Sequence, residues 1–122
     1  MNTIGSYNRN QSFGMAIIKP NQEVLKHFEK AIKELPEKER DYFTEKVGYF
    51  VEQNRNVPVM IEQKLTTTGT YQAVVNNKAY FAENPKTKAE GIIIALEGAT
   101  NSAKDIAKAN SHFEKIKKFF GM

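Results

Sequence analysis

The sequence predicts an α+β fold: a short N-terminal strand, an α-hairpin, a three-stranded antiparallel meander, and a C-terminal helical segment packed on one face of the sheet. Three observations carry this expectation. Apolar residues recur every three or four positions over residues 22–34 and again over residues 102–120, which is the period of a helix with one buried face. Between these stretches the chain alternates apolar and polar side chains, the period of half-buried strands. A chain of 122 residues, 40% hydrophobic and 26% charged, has the size and balance of one domain with its own core.

Each element has a local reason. Residues 1–12 are rich in Asn, Ser and Gly with little that is apolar, so they are expected to form a mobile tail ahead of a single domain over residues 13–122. Residues 13–18 form a short apolar run stopped by Lys19 and Pro20, which suits a buried strand better than one turn of helix. Asn21 stands where a helix N-cap belongs, because its side-chain oxygen can accept a free N–H of the first turn. Val24, Leu25, Phe28, Ala31, Ile32 and Leu35 then line one face. Glu29 with Lys33, and Lys30 with Glu34, are four apart on the solvated side. Leu35-Pro36 breaks the chain and starts a second helix. Phe43, Val47, Phe50 and Val51, with Tyr42 and Tyr49 beside them, give it an aromatic buried face, and the two helices are expected to meet as a tight pair.

Asn54 to Pro58 ends the second helix. Val57, Val59, Ile61 and Leu65 alternate with Met60, Glu62 and Lys64 as a first meander strand. Residues 66–70, with Gly69, make a turn, and Tyr71, Ala73 and Val75 form the inner side of the second strand. Asn76-Asn77 tolerates the positive φ angles of a tight hairpin before a third strand over residues 79–82. After Asn84-Pro85 two readings compete for residues 86–98. The β-branched run Gly91-Ile92-Ile93-Ile94 favours a strand. Against it, Ile92, Leu96, Ala99, Ala103, Ile106, Asn110 and Phe113 follow at alternating steps of four and three, a helical register that is the stronger signal. A kink or break is expected at residues 98–101, where Gly and Asn weaken a helix.

Composition excludes several chemistries. With no cysteine there is no disulfide framework, thiolate metal site or cysteine nucleophile, which leans toward a reducing, cytoplasmic setting. No secretory signal and no apolar run of bilayer length is visible, so a soluble chain without membrane insertion is expected. The net charge is +4, unevenly spread. Residues 22–54 carry a net −2 (six Lys/Arg against eight Asp/Glu), and residues 84–122 a net +3 (seven Lys against four Asp/Glu).

His27 and His112 each stand alone on a predicted helix, without the converging ligands that zinc needs, and read as helix-surface or boundary side chains. Ser12, Ser102 and Ser111 lie in no nucleophile-elbow setting. Carboxylates such as Glu37 and Asp41 read as solvent-facing. Gly98-Ala99-Thr100-Asn101-Ser102-Ala103-Lys104 resembles the phosphate-binding loop of nucleotide hydrolases, but Ala103 and Asp105 stand where that family needs glycine and a Ser/Thr for magnesium. It reads instead as a helix corner or kink. Leu35-Pro36-Glu37-Lys38-Glu39-Arg40 resembles the opening of the DNA-binding region of bacterial sigma factors, yet strand-like alternation follows Asn54 where a helix-turn-helix should continue. No catalytic residue, cofactor site or metal site is assigned.

Two binding readings remain. The first is a small, non-enzymatic intracellular protein-interaction or regulatory module, with an unknown protein partner or self-association through Phe113, Ile116, Phe119 and Phe120 on the C-terminal helix. The bland alternative is that these aromatics close the core. The second is RNA binding. The order helix, three strands, helix resembles a double-stranded-RNA-binding domain, which implies phosphate contacts for Lys86 and Lys88, with Lys115, Lys117 and Lys118 adding to the basic C-terminal part. The chain departs from that family in lacking a Lys-Lys pair at the helix start and in placing a second helix before the sheet.

Overall fold

The computed structural model describes residues 17–119 and Gly121. In chain order its elements are α1 (Gln22–Glu34), α2 (Glu37–Gln53), β1 (Glu62–Leu65), β2 (Tyr71–Val75), β3 (Lys78–Tyr80) and α3 (Lys88–Phe119). The α+β expectation holds: three helices accompany a three-stranded antiparallel sheet, and α3 packs on the strands. The expected tail over residues 1–12, and residues 13–16 of the expected first strand, lie outside the described residues. Of that strand the structure shows Ile17 in one parallel bridge to Ile61, with the Ile18 N–H donating to the Ile61 carbonyl at 2.8 Å.

Helix α1 starts as its sequence dictates, with Asn21 Oδ1 accepting the Val24 N–H at 2.9 Å. It buries Val24, His27 and Ala31, a spacing of three then four. Leu25, expected on that face, is exposed. Between α1 and α2 the Arg40 guanidinium turns back, and its Nε donates to the carbonyls of Ile32 and Leu35, both at 3.1 Å. The Ile32 carbonyl also accepts the N–H of the C-cap residue Leu35 at 3.1 Å, so Arg40 adds a side-chain donor to the end of one helix from the first turn of the next. This local role accounts for the Leu-Pro…Arg pattern. The hairpin pair is looser than expected. Phe28 and Phe43 meet at 6.4 Å between ring centroids, but each helix packs chiefly against α3. Tyr42 and Tyr49, expected beside the buried face of α2, are exposed, while Phe43 and Phe50 are buried.

The meander keeps its predicted hairpin. Residues Glu62 to Leu65 of β1 pair with Val74 to Tyr71 of β2, and Val75 pairs with Lys78 across Asn76 (φ 49°) and Asn77 (φ 68°). Residues 57–60 do not join β1 as expected, and Pro58, which lacks an N–H for a ladder, stands among them. The third strand ends at Tyr80 rather than at residue 82. Ile61, Gln63, Tyr71, Ala73 and Val75 turn inward toward the helices.

Helix α3 settles the ambiguous segment. It runs unbroken for 32 residues, about 48 Å at 1.5 Å per residue, so residues 91–94 are helix and no break occurs at residues 98–101. Packing explains both outcomes. Ile92, Ala95, Leu96, Ala99 and Ala103 are buried against the sheet and α1–α2, and burial of that face outweighs the weak β preference of three isoleucines. Gly98 is a contact residue rather than a hinge. A Cβ there would lie 2.8 Å from Tyr80 Cδ1, so glycine lets the helix lie against the β3 ring. The stretch that resembles a phosphate loop is therefore the middle of a buried helix face, not a corner.

One polar contact locks α2 to α3. Asn54, fully buried at the end of α2, donates from Nδ2 to the Phe50 carbonyl at 2.7 Å and to Thr100 Oγ1 at 2.9 Å. Its Oδ1 has no hydrogen-bond partner. Next to it, Lys104 Nζ donates to Gln53 Oε1.

Candidate interaction surface

Two regions hold polar or apolar groups that the core does not consume: a cleft at the start of α3 and the far end of the same helix. The cleft, a cavity of ≈330 Å³, is lined by His27 and Glu34 of α1, Thr70 of the turn before β2, Tyr71 of β2, and Lys86 and Lys88. His27, read from the sequence as a helix-surface or boundary side chain, is only 8% exposed, and its ring stacks on Tyr71 at 6.2 Å and 7°. Burial, reinforced by the nearby Lys88 ammonium, lowers its pKa below the ordinary value of 6.5, so it is neutral at pH 7. Burial pushes the Tyr71 phenol well above its usual range, and its hydroxyl donates to Gln63 Oε1 at 2.6 Å. Gln63 Nε2 in turn donates to the Ile18 carbonyl at 3.0 Å, tying the first described residues to the sheet.

Glu34 is engaged as well. Its carboxylate accepts from Lys88 Nζ at 2.7 Å, and this hydrogen bond holds its pKa below the usual carboxylate range. His27 and Glu34 are two helical turns apart on α1, roughly 10 Å, so they form no acid–base dyad. The α3 N-terminus satisfies itself: Thr87 Oγ1 accepts the Glu90 N–H at 3.1 Å, and Glu90 Oε1 accepts the Lys86 N–H at 2.7 Å. The cleft thus reads as a latch between α1 and α3 rather than a reaction centre. Among the described residues no group of three or more His, Asp or Glu converges as a metal site, and no helix is long and apolar enough to cross a membrane.

The far end of α3 is different. Helix packing against the core stops at Ile106 and Ala107. From residue 108 to residue 119 every residue is exposed except half-buried Lys117; Asn110 still lines a cavity with Val74, Asn76 and Asn77 at the hairpin, and about 13 Å of helix extends beyond it. Phe113 is 59% exposed, Ile116 51% and Phe119 84%; the Phe120 side chain lies outside the described residues. Lys117 Nζ reaches over the Phe113 ring at 5.7 Å and pairs with Glu114 at 3.7 Å. The core explanation for this stripe therefore does not apply within the described molecule.

The five lysines weighed as nucleic-acid contacts do not converge. Lys86 and Lys88 sit at the start of α3, with Lys88 held by Glu34, and Lys115, Lys117 and Lys118 sit at its end. From Lys88 to Lys117 the helix spans about 44 Å.

Comparison with protein-family models, curated proteins and solved structures finds no match. The chain's own geometry carries the functional argument. Sequence reading named Phe113 and Ile116 as candidates, and the structure leaves both exposed; it missed the His27–Tyr71–Gln63 cluster, whose one legible trace is the spacing of His27 between Val24 and Ala31.

Proposed function

We propose that this chain is a small intracellular, non-enzymatic interaction module whose contact element is the overhanging end of α3. The supporting observation is the exposure of Phe113 and Ile116 on a helix segment beyond Ile106 and Ala107, the last residues packed on the core. Apolar side chains gathered on a projecting element mark interaction surfaces, and a short helix without a packed face is marginal in water. Charge narrows the partner. Residues 108–122 carry four Lys against one Glu, a net +3. The complementary partner is a polypeptide with an apolar groove and carboxylates on its rim.

The test is assembly size in native extract by size exclusion, comparing wild type with Ile116→Lys. The wild type is expected to elute well above the size of its 13.9 kDa chain, and the variant to fall to that size with unchanged circular dichroism. Elution of both as monomers in extract overturns the reading.

A further inference from the structure

We propose that the partner of the α3 end is a second copy of this chain, joined as a two-fold dimer in which the two α3 helices run antiparallel. This rests on the interaction reading above and names its occupant. The molecule carries both halves of the required fit. One half is the Lys-flanked apolar arm. The other is an open groove of ≈450 Å³ between α2 and α3, with Tyr42, Ile93 and Ile94 lining it and Glu39, Glu90 and Lys86 at its rim. Tyr42 is 62% exposed and Ile94 44%. The groove lies beside the acidic helical pair, net −2 over residues 22–54, while the arm carries +3.

The arm cannot reach the groove of its own chain. Ile94 and Ile116 are 22 residues apart on one continuous helix, about 33 Å. Only another copy can bring them together. Along α3 the exposed residues Ile94, Asn101, Asp105, Lys108, His112 and Ile116 follow at helical spacing on the side away from the buried line Ile92, Leu96, Ala99 and Ala103. When two such faces meet antiparallel with Ile94 opposite Ile116 of the other copy, the two-fold axis passes near Asp105. The two Asp105 side chains then face each other across the axis with Lys108 of each copy one turn away, and Glu90 comes within one turn of Lys118 of the other copy. Symmetry uses each contact twice, bringing a small patch toward the roughly 800 Å² per partner of a stable interface. The arrangement closes on itself.

The experiment uses the purified full chain and the absence of cysteine in its sequence. Sedimentation equilibrium from about 1 to 200 µM is expected to show a species of twice the chain mass, and Ile116→Lys to raise its dissociation constant at least tenfold, roughly 1.4 kcal/mol. Mild oxidation of the double variant Ile94→Cys/Ile116→Cys is expected to give covalent dimer. Each single-cysteine variant stays uncrosslinked, because a disulfide needs Cα atoms within about 7 Å. Crosslinking by the single variants instead means parallel pairing and overturns the proposed geometry. A wild type that is monomeric across the range overturns the second copy as partner. If that monomer still elutes large in extract, the interaction reading stands with a different partner. If Ile116→Lys fails to fold, the crosslink pattern alone decides.

Discussion

His27 is the residue whose setting contradicts its sequence context most, and its consequence is a pH dependence. Its folded pKa lies below its ordinary value because burial, then Lys88 and more weakly Lys30, disfavour the imidazolium, while Glu34 alone opposes them. As pH falls below 6.5 the unfolded chain takes up a proton that the folded chain refuses, so stability drops toward the lowered folded pKa and is unaffected above 6.5. Urea midpoints between pH 7.5 and pH 5, a span of about 2.5 units around the imidazole range, should fall for the wild type and stay nearly level for His27→Gln. Equal slopes in both proteins contradict this assignment. Asn54 makes a second prediction. Asn54→Ala removes both Nδ2 hydrogen bonds and leaves a small void, an expected loss of about 2 kcal/mol by urea denaturation. Thr100→Val removes only one of them and should cost about half as much.

Among the elements, α3 concentrates the fold's energetics, since both other helices and two strands pack on it. Gly98 shows which force governs it. Helix propensity alone predicts that Gly98→Ala stabilises by about 1 kcal/mol. The Cβ position 2.8 Å from Tyr80 Cδ1 predicts the reverse: overpacking of about 1–3 kcal/mol exceeds the propensity gain, for a net loss near 1 kcal/mol. Thermal denaturation gives the sign directly, and a raised midpoint would show that the Tyr80 ring moves aside freely. The same helix should divide in its dynamics. Amide exchange at low protein concentration is expected to be slow over residues 89–103, which the core holds, and fast over residues 108–118, which it does not. Protection of the second stretch should then rise with protein concentration as the partner copy covers it. Equal protection of both stretches in dilute solution excludes an independent arm.

At the scale of the whole molecule, the organising feature is a mismatch of lengths. A helix of about 48 Å crosses a sheet whose strands hold three to five residues, spanning at most about 17 Å. One end must overhang. The overhang carries Phe113 and Ile116 on a basic segment, while the covered end lies beside the acidic α1–α2 pair, so the chain is polarised along α3 in both charge and apolar exposure. That polarity is what a reciprocal dimer uses. It also separates Lys86 and Lys88 from Lys115, Lys117 and Lys118, so these two lysine groups lie at opposite ends of the helix.

Local chemistry determined much of this protein. Asn21 caps α1, Pro36 separates the first two helices, Asn76-Asn77 turns the hairpin, and the three-and-four spacing of Ile92, Leu96, Ala99 and Ala103 marks the buried line of α3. Each of these is fixed by a residue's own conformational range or by a periodic face, both of which act over a few positions. The tertiary structure decided the rest. It made residues 91–94 helical despite their β-branching, carried α3 through Gly98 because Tyr80 occupies the space of a side chain, and buried His27 against Tyr71. It also left Phe113 and Ile116 outside the core. None of these follows from a local window, because each depends on which distant surface the segment meets: the apolar stripe of α3 reads the same along its length, and only the extent of the sheet beneath it sets where burial ends.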